Sequence, residues 1–538
     1  MFPIFDAAEV ARLRPFGTVR AHEKGAHLAR IGEPPPGLQL ILSGEVELSH
    51  HDALGDAEPI STQGQGAFLA ELSVLSSSPS LVDAIAVSAV ETVLIPRRKL
   101  RELMIEEAEL GERIMRALIL RRVALIESRH AGPVIVGRAG EADVLRLSNF
   151  LTRNGQPHRH LDAATDESAQ ALIERFHVRA PDLPIVLCPG GQLLRNPRED
   201  ALARCLGLLK PLDPTALYDV AIVGAGPAGL AAAVYAGSEG LSVITLDCRS
   251  FGGQAGASMR IENYLGFPTG ITGLALTARA FNQAQKFGVE MSIPAEIVRL
   301  SNGTGTEKAF LLGTKDGESV HARTVIIASG ARYRRLAIEN LAAFEGAHVH
   351  YWASPMEGTL CSGQEVALVG AGNSAGQAAV YLATQARKVH LLARRESLDS
   401  TMSRYLVERI GAQRNIEVHT STEVVGLEGS AGTLETVQWR HRGTGETTRA
   451  AIGHLFLFIG ADPNTDWLGS CGIAMDNNGF VLTRTGIDHG ARPFETNRAG
   501  VFAIGDVRAG SIKRVAAAVG EGAQVVSAIH AYLNPPAL

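Results

Sequence analysis

Cysteine is scarce in this chain, and no two cysteines lie close together in the sequence. The five stand at positions 188, 205, 248, 361 and 471, and the smallest separation is 17 positions. A metal site or a redox dithiol of the Cys-x-x-Cys type needs two thiols three positions apart, so the sequence excludes both. We therefore expect no metal in the protein.

Long apolar segments and runs of basic residues are also missing. No stretch of about 18 uncharged apolar residues is present, as a membrane-spanning helix would need, and the first residues lack the pattern of a signal peptide. The net charge is −5, and without a cluster of Lys and Arg the chain is a poor partner for nucleic acid or an anionic membrane. We expect a cytoplasmic protein with neither partner. Its 538 residues, 46% of them hydrophobic, suffice for three or four domains.

Two glycine-rich segments, GAGPAG at 224–229 and GAGNSA at 370–375, stand out against these absences. Each follows a strand-like apolar run and opens an Ala-rich helical stretch, the context that a dinucleotide-binding fingerprint requires. The glycines permit a tight turn and bring backbone N–H groups up to a pyrophosphate at the positive end of a helix. Two such units are typical of an enzyme that holds a flavin and a nicotinamide dinucleotide. The predicted contacts are Gly224, Gly226, Pro227, Ala228 and Gly229 in the first loop and Gly370, Gly372, Asn373 and Ser374 in the second.

An acidic residue follows the first fingerprint at the spacing of a nucleotide site. Asp247 lies 23 positions beyond Gly224, at the end of the strand-like run LSVITLD. A carboxylate at this point bonds the ribose hydroxyls of an adenosine. Taken alone, Asp247 could equally be a turn residue; after GAGPAG we predict that it binds ribose.

Further motifs resemble those of low-molecular-weight thioredoxin reductases, from Tyr218 to the end of the chain. They are FGGQAGASMRIENYLGF at 251–267, ASGA at 328–331, FIGADPNT at 458–465 and VFAIGD at 501–506. The resemblance implies FAD, with Asp506 on the ribityl chain and the backbone of Val515 and Ala516, at a helix start, on the flavin pyrimidine edge. A helix N-terminus there stabilises the negative charge of a reduced flavin. The remaining contacts it implies are Gly253, Gln254, Asn263, Ser329, Gly330 and Gly505.

The strand after the second fingerprint ends in two basic residues, Arg394 and Arg395. An acidic residue here would favour NADH, whereas guanidinium groups suit the 2′-phosphate of NADPH, so we predict NADPH. The alternative is an exposed basic turn. Relatives often carry another arginine four residues later, where this chain has Asp399, and Arg404 could replace it.

The dithiol of those reductases is missing from this chain. By the resemblance, a CATC-type motif would occupy 353–356, and the residues here are Ala353, Ser354, Pro355 and Met356. Neither Ser nor Met performs thiol–disulfide exchange, which needs a thiolate. Glu357 stands where the family has a proton donor. We predict it as a catalytic acid for the reduced flavin or an acceptor, with capping of a turn as the alternative, and we expect Cys361 to be structural.

The first 130 residues differ from the rest, with short strands from about 12 to 95 and an amphipathic helical run from about 97 to 126. FLAELSVLSSSPSLVDA at 68–84 resembles the phosphate-binding cassette of cyclic-nucleotide-binding domains. Glu71 matches the family's acid, but Ala70 replaces its glycine and Val82 its arginine. Without a guanidinium for the cyclic phosphate, binding of cyclic AMP or GMP is doubtful. Packing, oligomerisation or another ligand are the alternatives.

The stretch from about 132 to 209 alternates strands and helices and ends in a Pro-led strand pair and a last helix. This order resembles a thioredoxin-type fold. The segment GRAGEAD, where that family has its dithiol, contains no sulfur, and we expect Cys188 to be a buried free thiol. A docking or spacer role is favoured.

The sequence therefore predicts a multidomain α/β protein with two Rossmann-like dinucleotide-binding domains. Electrons would pass from NADPH through FAD to an external acceptor, such as ferredoxin or flavodoxin, a quinone or a small oxidant, and a homodimer is expected from the resemblance. The alternatives are a reductase that uses a partner's dithiol and a redox sensor with slow turnover. The predicted domains are 1–130 (cyclic-nucleotide-binding-like), 131–210 (thioredoxin-like), 215–335 and 458–538 (FAD) and 336–457 (NADPH).

Overall fold

The structure is a computed structural model that describes residues 3–51, 57–70, 72–76, 78–128, 132–258, 260–303, 309–430, 432–483 and 492–534. Over these residues the chain forms four units, each built around its own sheet or pair of sheets. We call them the barrel unit, the insert unit, the first nucleotide unit and the second nucleotide unit.

The barrel unit consists of two four-stranded antiparallel sheets covered by helices. Phe68, Leu40 and Val93 from the strands pack with Leu110 and Ile114 of the long helix in one core. The predicted barrel with a helical lid is therefore present. Its strands are Thr18–His22, His27–Ala29, Leu38–Ser43, Val46–His51, Ala57–Gln63, Phe68–Leu69, Asp83–Ala86 and Val90–Ile95, and its helices are Ala7–Leu13, Ser73–Ser76, Arg97–Glu106 and Ala108–Ser128.

The insert unit has the predicted order of elements around one four-stranded sheet. Its first two strands are parallel and the last two antiparallel. The strands are Val134–Gly137, Arg159–Asp162, Ile185–Leu187 and Leu193–Arg195, and the helices are Ala142–Arg153, Glu167–Arg175 and Glu199–Cys205.

The expectation of a free thiol at Cys188 is wrong, because Cys188 forms a disulfide with Cys205. Cys188 directly follows the third strand of the insert unit, and Cys205 ends the helix that returns over the sheet. Their Cα atoms are 6.6 Å apart, within the range of a disulfide. The contact is tertiary, so the spacing of 17 residues gave no indication of it.

The first nucleotide unit is a seven-stranded sheet whose strands come from two distant parts of the chain. Strand Ser319–Ile327 pairs in parallel with Val501–Ala503, beyond the second nucleotide unit. The other strands are Leu217–Val223, Val243–Leu246, Glu290–Ser292, Ile297–Asn302 and Phe310–Thr314, and the helices are Pro227–Ser238, Gly253–Gly256, Gly273–Lys286 and Val515–Leu533.

The second nucleotide unit is inserted between those two parts. The chain leaves and returns through a short antiparallel pair, Ala331–Tyr333 with Ala461–Pro463. Its parallel sheet contains Val349–His350, Leu455–Leu457, Glu365–Val369, Lys388–Leu392 and Ile416–His419, its antiparallel sheet Thr422–Ser430, Thr433–His441 and Thr447–Ala451, and its helices are Leu341–Phe344, Pro355–Leu360, Asn373–Leu382 and Arg404–Ala412.

Buried histidines stack at one edge of this parallel sheet. His350 Nε2 and His454 Nδ1 are 3.0 Å apart, and the His350 ring lies on Phe456. Burial lowers the pKa of His350 to about 3 and that of His454 to about 4. Both imidazoles are therefore neutral in the folded protein at neutral pH.

We predict that acid destabilises this unit through these histidines. Protonation favours the unfolded chain, where the pKa is about 6.5, so stability is lost as the pH falls below that value, by up to about 1.4 kcal/mol per pH unit for each histidine. His350→Gln should flatten the decline between about pH 6.5 and about pH 5 in denaturation followed by tryptophan fluorescence. His441→Gln, outside the stack, is the control. Equal pH slopes in wild type and His350→Gln would contradict the assignment.

Candidate functional site

A cavity of about 550 Å³, here called the central cavity, lies between the two nucleotide units. The first fingerprint, the start of the last helix and one face of helix Asn373–Leu382 contribute to its walls. The predicted flavin contacts that line it are Gly226, Pro227, Ala228, Asp247, Gly253, Gln254, Ser329, Gly330, Asp506 and Val515.

The first fingerprint brings backbone close to backbone at the cavity wall. Gly224 has φ 113°, a conformation that side chains disfavour. A Cβ on Gly229 would lie 1.9 Å from the Gly224 carbonyl oxygen. Helix Pro227–Ser238 therefore starts directly against the strand, and its N-terminal N–H groups face the cavity, as a pyrophosphate requires.

Asp247 holds the end of this wall. Its carboxylate accepts hydrogen bonds from the backbone N–H groups of Ala225 and Arg249, each at 2.9 Å. These bonds fix the carboxylate at the edge of the cavity, where it could accept hydrogen bonds from ribose hydroxyl groups.

The other end of the cavity is formed by Asp506 and the last helix. Burial raises the pKa of Asp506, while Lys513 nearby opposes that shift. The helix begins at Val515, so its positive end points into the cavity. The groups at this end fit a ribityl chain and an electron-rich flavin edge.

Several predicted flavin contacts lie outside the lining. Asn263 is exposed, whereas its neighbour Glu262 lines the cavity. The Gly505 N–H donates to the Glu521 carboxylate at 2.6 Å. Gly224, Gly229 and Ala516 are also absent from the described residues that line the cavity. The two glycines therefore shape the loop behind the cavity surface and do not form that surface themselves.

Of the four contacts predicted in the second fingerprint, only Ser374 is among the described residues that line the central cavity. The Asn373 side chain accepts a hydrogen bond from the Ser403 N–H at 2.6 Å. Arg394 and Arg395 are exposed after strand Lys388–Leu392, away from the described lining of the cavity. They are available to a 2′-phosphate at the surface of the second nucleotide unit.

The segment at the expected dithiol position starts at the cavity wall. Ala353 is buried and lines the cavity with Trp352. Glu357 is buried, forms a capping box with Ser354 and accepts from Trp352 Nε1 at 2.9 Å. These bonds occupy both carboxylate oxygens and favour the capping alternative. Burial raises the pKa of Cys361 to about 12, so this thiol stays protonated at neutral pH.

The insert unit also reaches this wall, which the sequence analysis did not predict. Arg153 Nη2 donates to the Gly253 carbonyl at 2.9 Å, and its guanidinium lies 5.6 Å from the centre of the Trp352 ring. Arg153 thus contacts both nucleotide units. A basic residue in the last turn of an amphipathic helix was the only sequence signal.

The barrel unit contains a second cavity, of about 340 Å³, with a largely apolar lining that includes Ala70 and Val82. Val82 brings no charge, as expected, but Arg121 brings a guanidinium that donates to the Ala70 carbonyl. Arg121 belongs to the face of helix Ala108–Ser128 that includes Ala117, Leu118 and Leu125, a spacing visible in the sequence. Glu71 lies outside the described residues.

Comparisons with known proteins agree with this geometry. The model of the pyridine nucleotide-disulphide oxidoreductase family matches residues 218–522, and that of the cyclic nucleotide-binding domain matches 19–107. A thioredoxin reductase of Mycoplasma genitalium is 33% identical over 58% of this chain and 93% of its own length. An NADPH-dependent thioredoxin reductase of Arabidopsis thaliana is 34% identical over 59% of each chain, so the match spans little more than half of that relative.

Solved structures give the same result. Thioredoxin reductases of Lactococcus lactis and T. acidophilum superpose with TM-scores of 0.53 and 0.54, each at 28% identity over 59% of this chain and 99% and 98% of their own chains. The fold and the central cavity thus define a flavoprotein oxidoreductase with two dinucleotide sites. The chain belongs to the pyridine nucleotide-disulphide oxidoreductase family, and its thioredoxin reductase relatives use FAD and NADPH. Among the described helices, none is long and apolar enough to cross a membrane.

We predict that Gly229→Ala prevents stable binding of FAD. The added methyl group has no room against the Gly224 carbonyl, so helix and strand must separate where the pyrophosphate would bind. The purified variant should show less than about a tenth of the wild-type flavin absorbance. This loss corresponds to a binding free energy for FAD that is weaker by at least about 1.4 kcal/mol. Gly411→Ala, where a Cβ meets no neighbouring atom, is the matched control. Full flavin content in Gly229→Ala would contradict the assignment.

Proposed function

We propose that this protein is an NADPH-dependent flavoprotein reductase that passes electrons from FAD to an external acceptor without a dithiol of its own at the flavin. The observation that carries the proposal is the wall at Trp352 and Ala353. Of the described residues that line the central cavity, none is a cysteine. Neither Cys188 nor Cys205 is among them, so the disulfide of the insert unit does not replace the missing pair.

The residues of the cavity support each part of this function. Asp247 and the first fingerprint would hold the adenosine diphosphate part of FAD, while Asp506 and the helix that begins at Val515 would hold the flavin end. FAD, when bound, supplies the two-electron chemistry. The helix N-terminus would favour the negative charge of the reduced state. Trp352 lines the cavity, and the Arg153 guanidinium lies 5.6 Å from the centre of its ring.

The acceptor belongs to one of three chemical classes: a small redox protein such as ferredoxin or flavodoxin, a quinone, or another small oxidant. Direct transfer from the flavin suits all three, since none requires thiol exchange. The experiments below test this proposal against two alternatives. One is a disulfide reductase that uses a dithiol supplied by a partner protein, and the other is a redox sensor with slow turnover.

Rapid mixing with NADPH without oxygen tests the first half-reaction. We expect the flavin absorbance to bleach within seconds, at a rate compatible with turnover of at least about 1 per second. Absence of bleaching over minutes would leave the sensor function in its place. Steady-state assays with ferredoxin, quinones and thioredoxin then identify the acceptor, and wild-type protein should not turn over thioredoxin.

A gain-of-function variant sharpens this test. Ala353→Cys with Met356→Cys restores the dithiol spacing, and Ala353→Ser with Met356→Ser is its matched control. Thioredoxin reduction should appear only with the two cysteines. Efficient thioredoxin turnover by the wild type would overturn the proposal.

We also propose that Arg394 and Arg395 select NADPH. Their joint replacement by Ala should raise KM for NADPH about 10- to 100-fold, since hydrogen bonds to a charged group contribute about 1.5–3 kcal/mol. KM for NADH should change little. Arg449→Ala, at another exposed arginine of the same unit, serves as control. Equal effects on both coenzymes would exclude the assignment.

A further inference from the structure

Two histidines and a glutamate converge on the outer strands of the parallel sheet of the second nucleotide unit. His390 lies on strand Lys388–Leu392, and Glu417 and His419 lie on the neighbouring strand Ile416–His419. Their nearest ligand atoms all lie within 4.8 Å of one another. The cluster is separate from the central cavity, and the inference does not rest on the proposed function.

The geometry points to a zinc site formed by His390, Glu417 and His419. His390 Nδ1 and His419 Nε2 are 3.1 Å apart. Two nitrogen ligands of one tetrahedral Zn²⁺, each about 2.0–2.1 Å from the metal, are about 3.4 Å apart, so a small rotation of the rings suffices. A Glu417 oxygen lies 3.6 Å from His419 Nε2, which supplies the third ligand. Two imidazoles and a carboxylate are a ligand set that suits zinc.

Glu365 determines which ring nitrogen of His390 carries the proton. Its carboxylate lies 3.2 Å from His390 Nε2, on the side of the ring away from His419. It therefore holds the N–H on Nε2 and leaves the lone pair on Nδ1, facing the cluster. A carboxylate behind a ligating histidine is the arrangement that orients and strengthens such ligands.

The surroundings keep the rings in place. Trp439 contacts both imidazoles, with ring centres 5.4 Å and 5.6 Å away. His390 is buried, while His419 and Glu417 are more exposed, so a metal ion has access from solvent and a water can be its fourth ligand. Lys388 forms an ion pair with the other oxygen of Glu417. This pair balances the charge of the carboxylate when no metal is bound.

The zinc site lies beside the turn that carries Arg394 and Arg395, the basic pair that we assign to NADPH. The Ala393 N–H donates to the His419 carbonyl at 2.8 Å, and the Ser421 N–H to the Arg395 carbonyl at 2.9 Å. A metal that joins the two strands therefore also fixes the turn that presents Arg394 and Arg395.

Zinc titration of the metal-free, FAD-loaded protein without a polyhistidine tag tests the inference by calorimetry. Wild type should bind one equivalent, and Co²⁺ at the same site should add absorption bands at wavelengths longer than those of the flavin. His419→Gln and Glu417→Gln should each weaken zinc binding, His419→Gln by at least about 100-fold, and Glu365→Gln should weaken it by about 10- to 100-fold. His441→Gln, outside the cluster, should bind as wild type.

These variants change side chains that are partly or fully exposed, so we expect the protein to keep its fold. The flavin content of each purified variant checks that the fold is intact. The absence of saturable zinc binding in wild type would overturn the proposal. Equal binding by wild type and His419→Gln would also overturn it, because the metal would then occupy another place.

Discussion

The pairing of strand Ser319–Ile327 with Val501–Ala503 is the contact on which the rest of the catalytic half depends. It places the last strand beside the strand that precedes Ser329, and the chain then continues directly to Asp506. In the sequence, the carboxylate and helix for the flavin end are separated from the fingerprint loop by the whole second nucleotide unit. The parallel ladder, together with the packing of the last helix on helix Pro227–Ser238, brings the two ends of the central cavity together.

Electrostatics then divides this cavity into two ends. At one end, the start of helix Pro227–Ser238 lines the cavity where a pyrophosphate would bind, and at the other the start of the last helix would face the flavin edge. Both helices present their positive ends, and both termini face a group that carries or acquires negative charge. Asp247 and the partly buried Asp506 would supply acceptors for hydroxyl groups of a bound dinucleotide. The cavity therefore fits a dinucleotide along its whole length.

Features that depend on backbone conformation and on the local order of residues could be predicted from the sequence. GAGPAG at 224–229 predicts a strand, a turn and a helix because only glycine tolerates the approach between Gly229 and the Gly224 carbonyl. The split of the first nucleotide unit followed from the order of the motifs. Contacts between distant side chains were not predictable, since Arg153 with Gly253, Cys188 with Cys205 and His390 with His419 depend on how the units and strands pack. For Glu357 the sequence left an acid and a cap as alternatives, and only its hydrogen bonds favour the cap.

Arg153 connects the first half of the chain directly to the wall of the central cavity. Its two contacts, with Gly253 of one nucleotide unit and Trp352 of the other, depend on a single relative orientation of the two units. Any reorientation of the second unit breaks one of them, so the energy of these contacts adds to the barrier for that motion. By thermodynamic reciprocity, a ligand or partner that shifts the insert unit changes the equilibrium between orientations of the two nucleotide units, and a change in that equilibrium acts back on the insert unit.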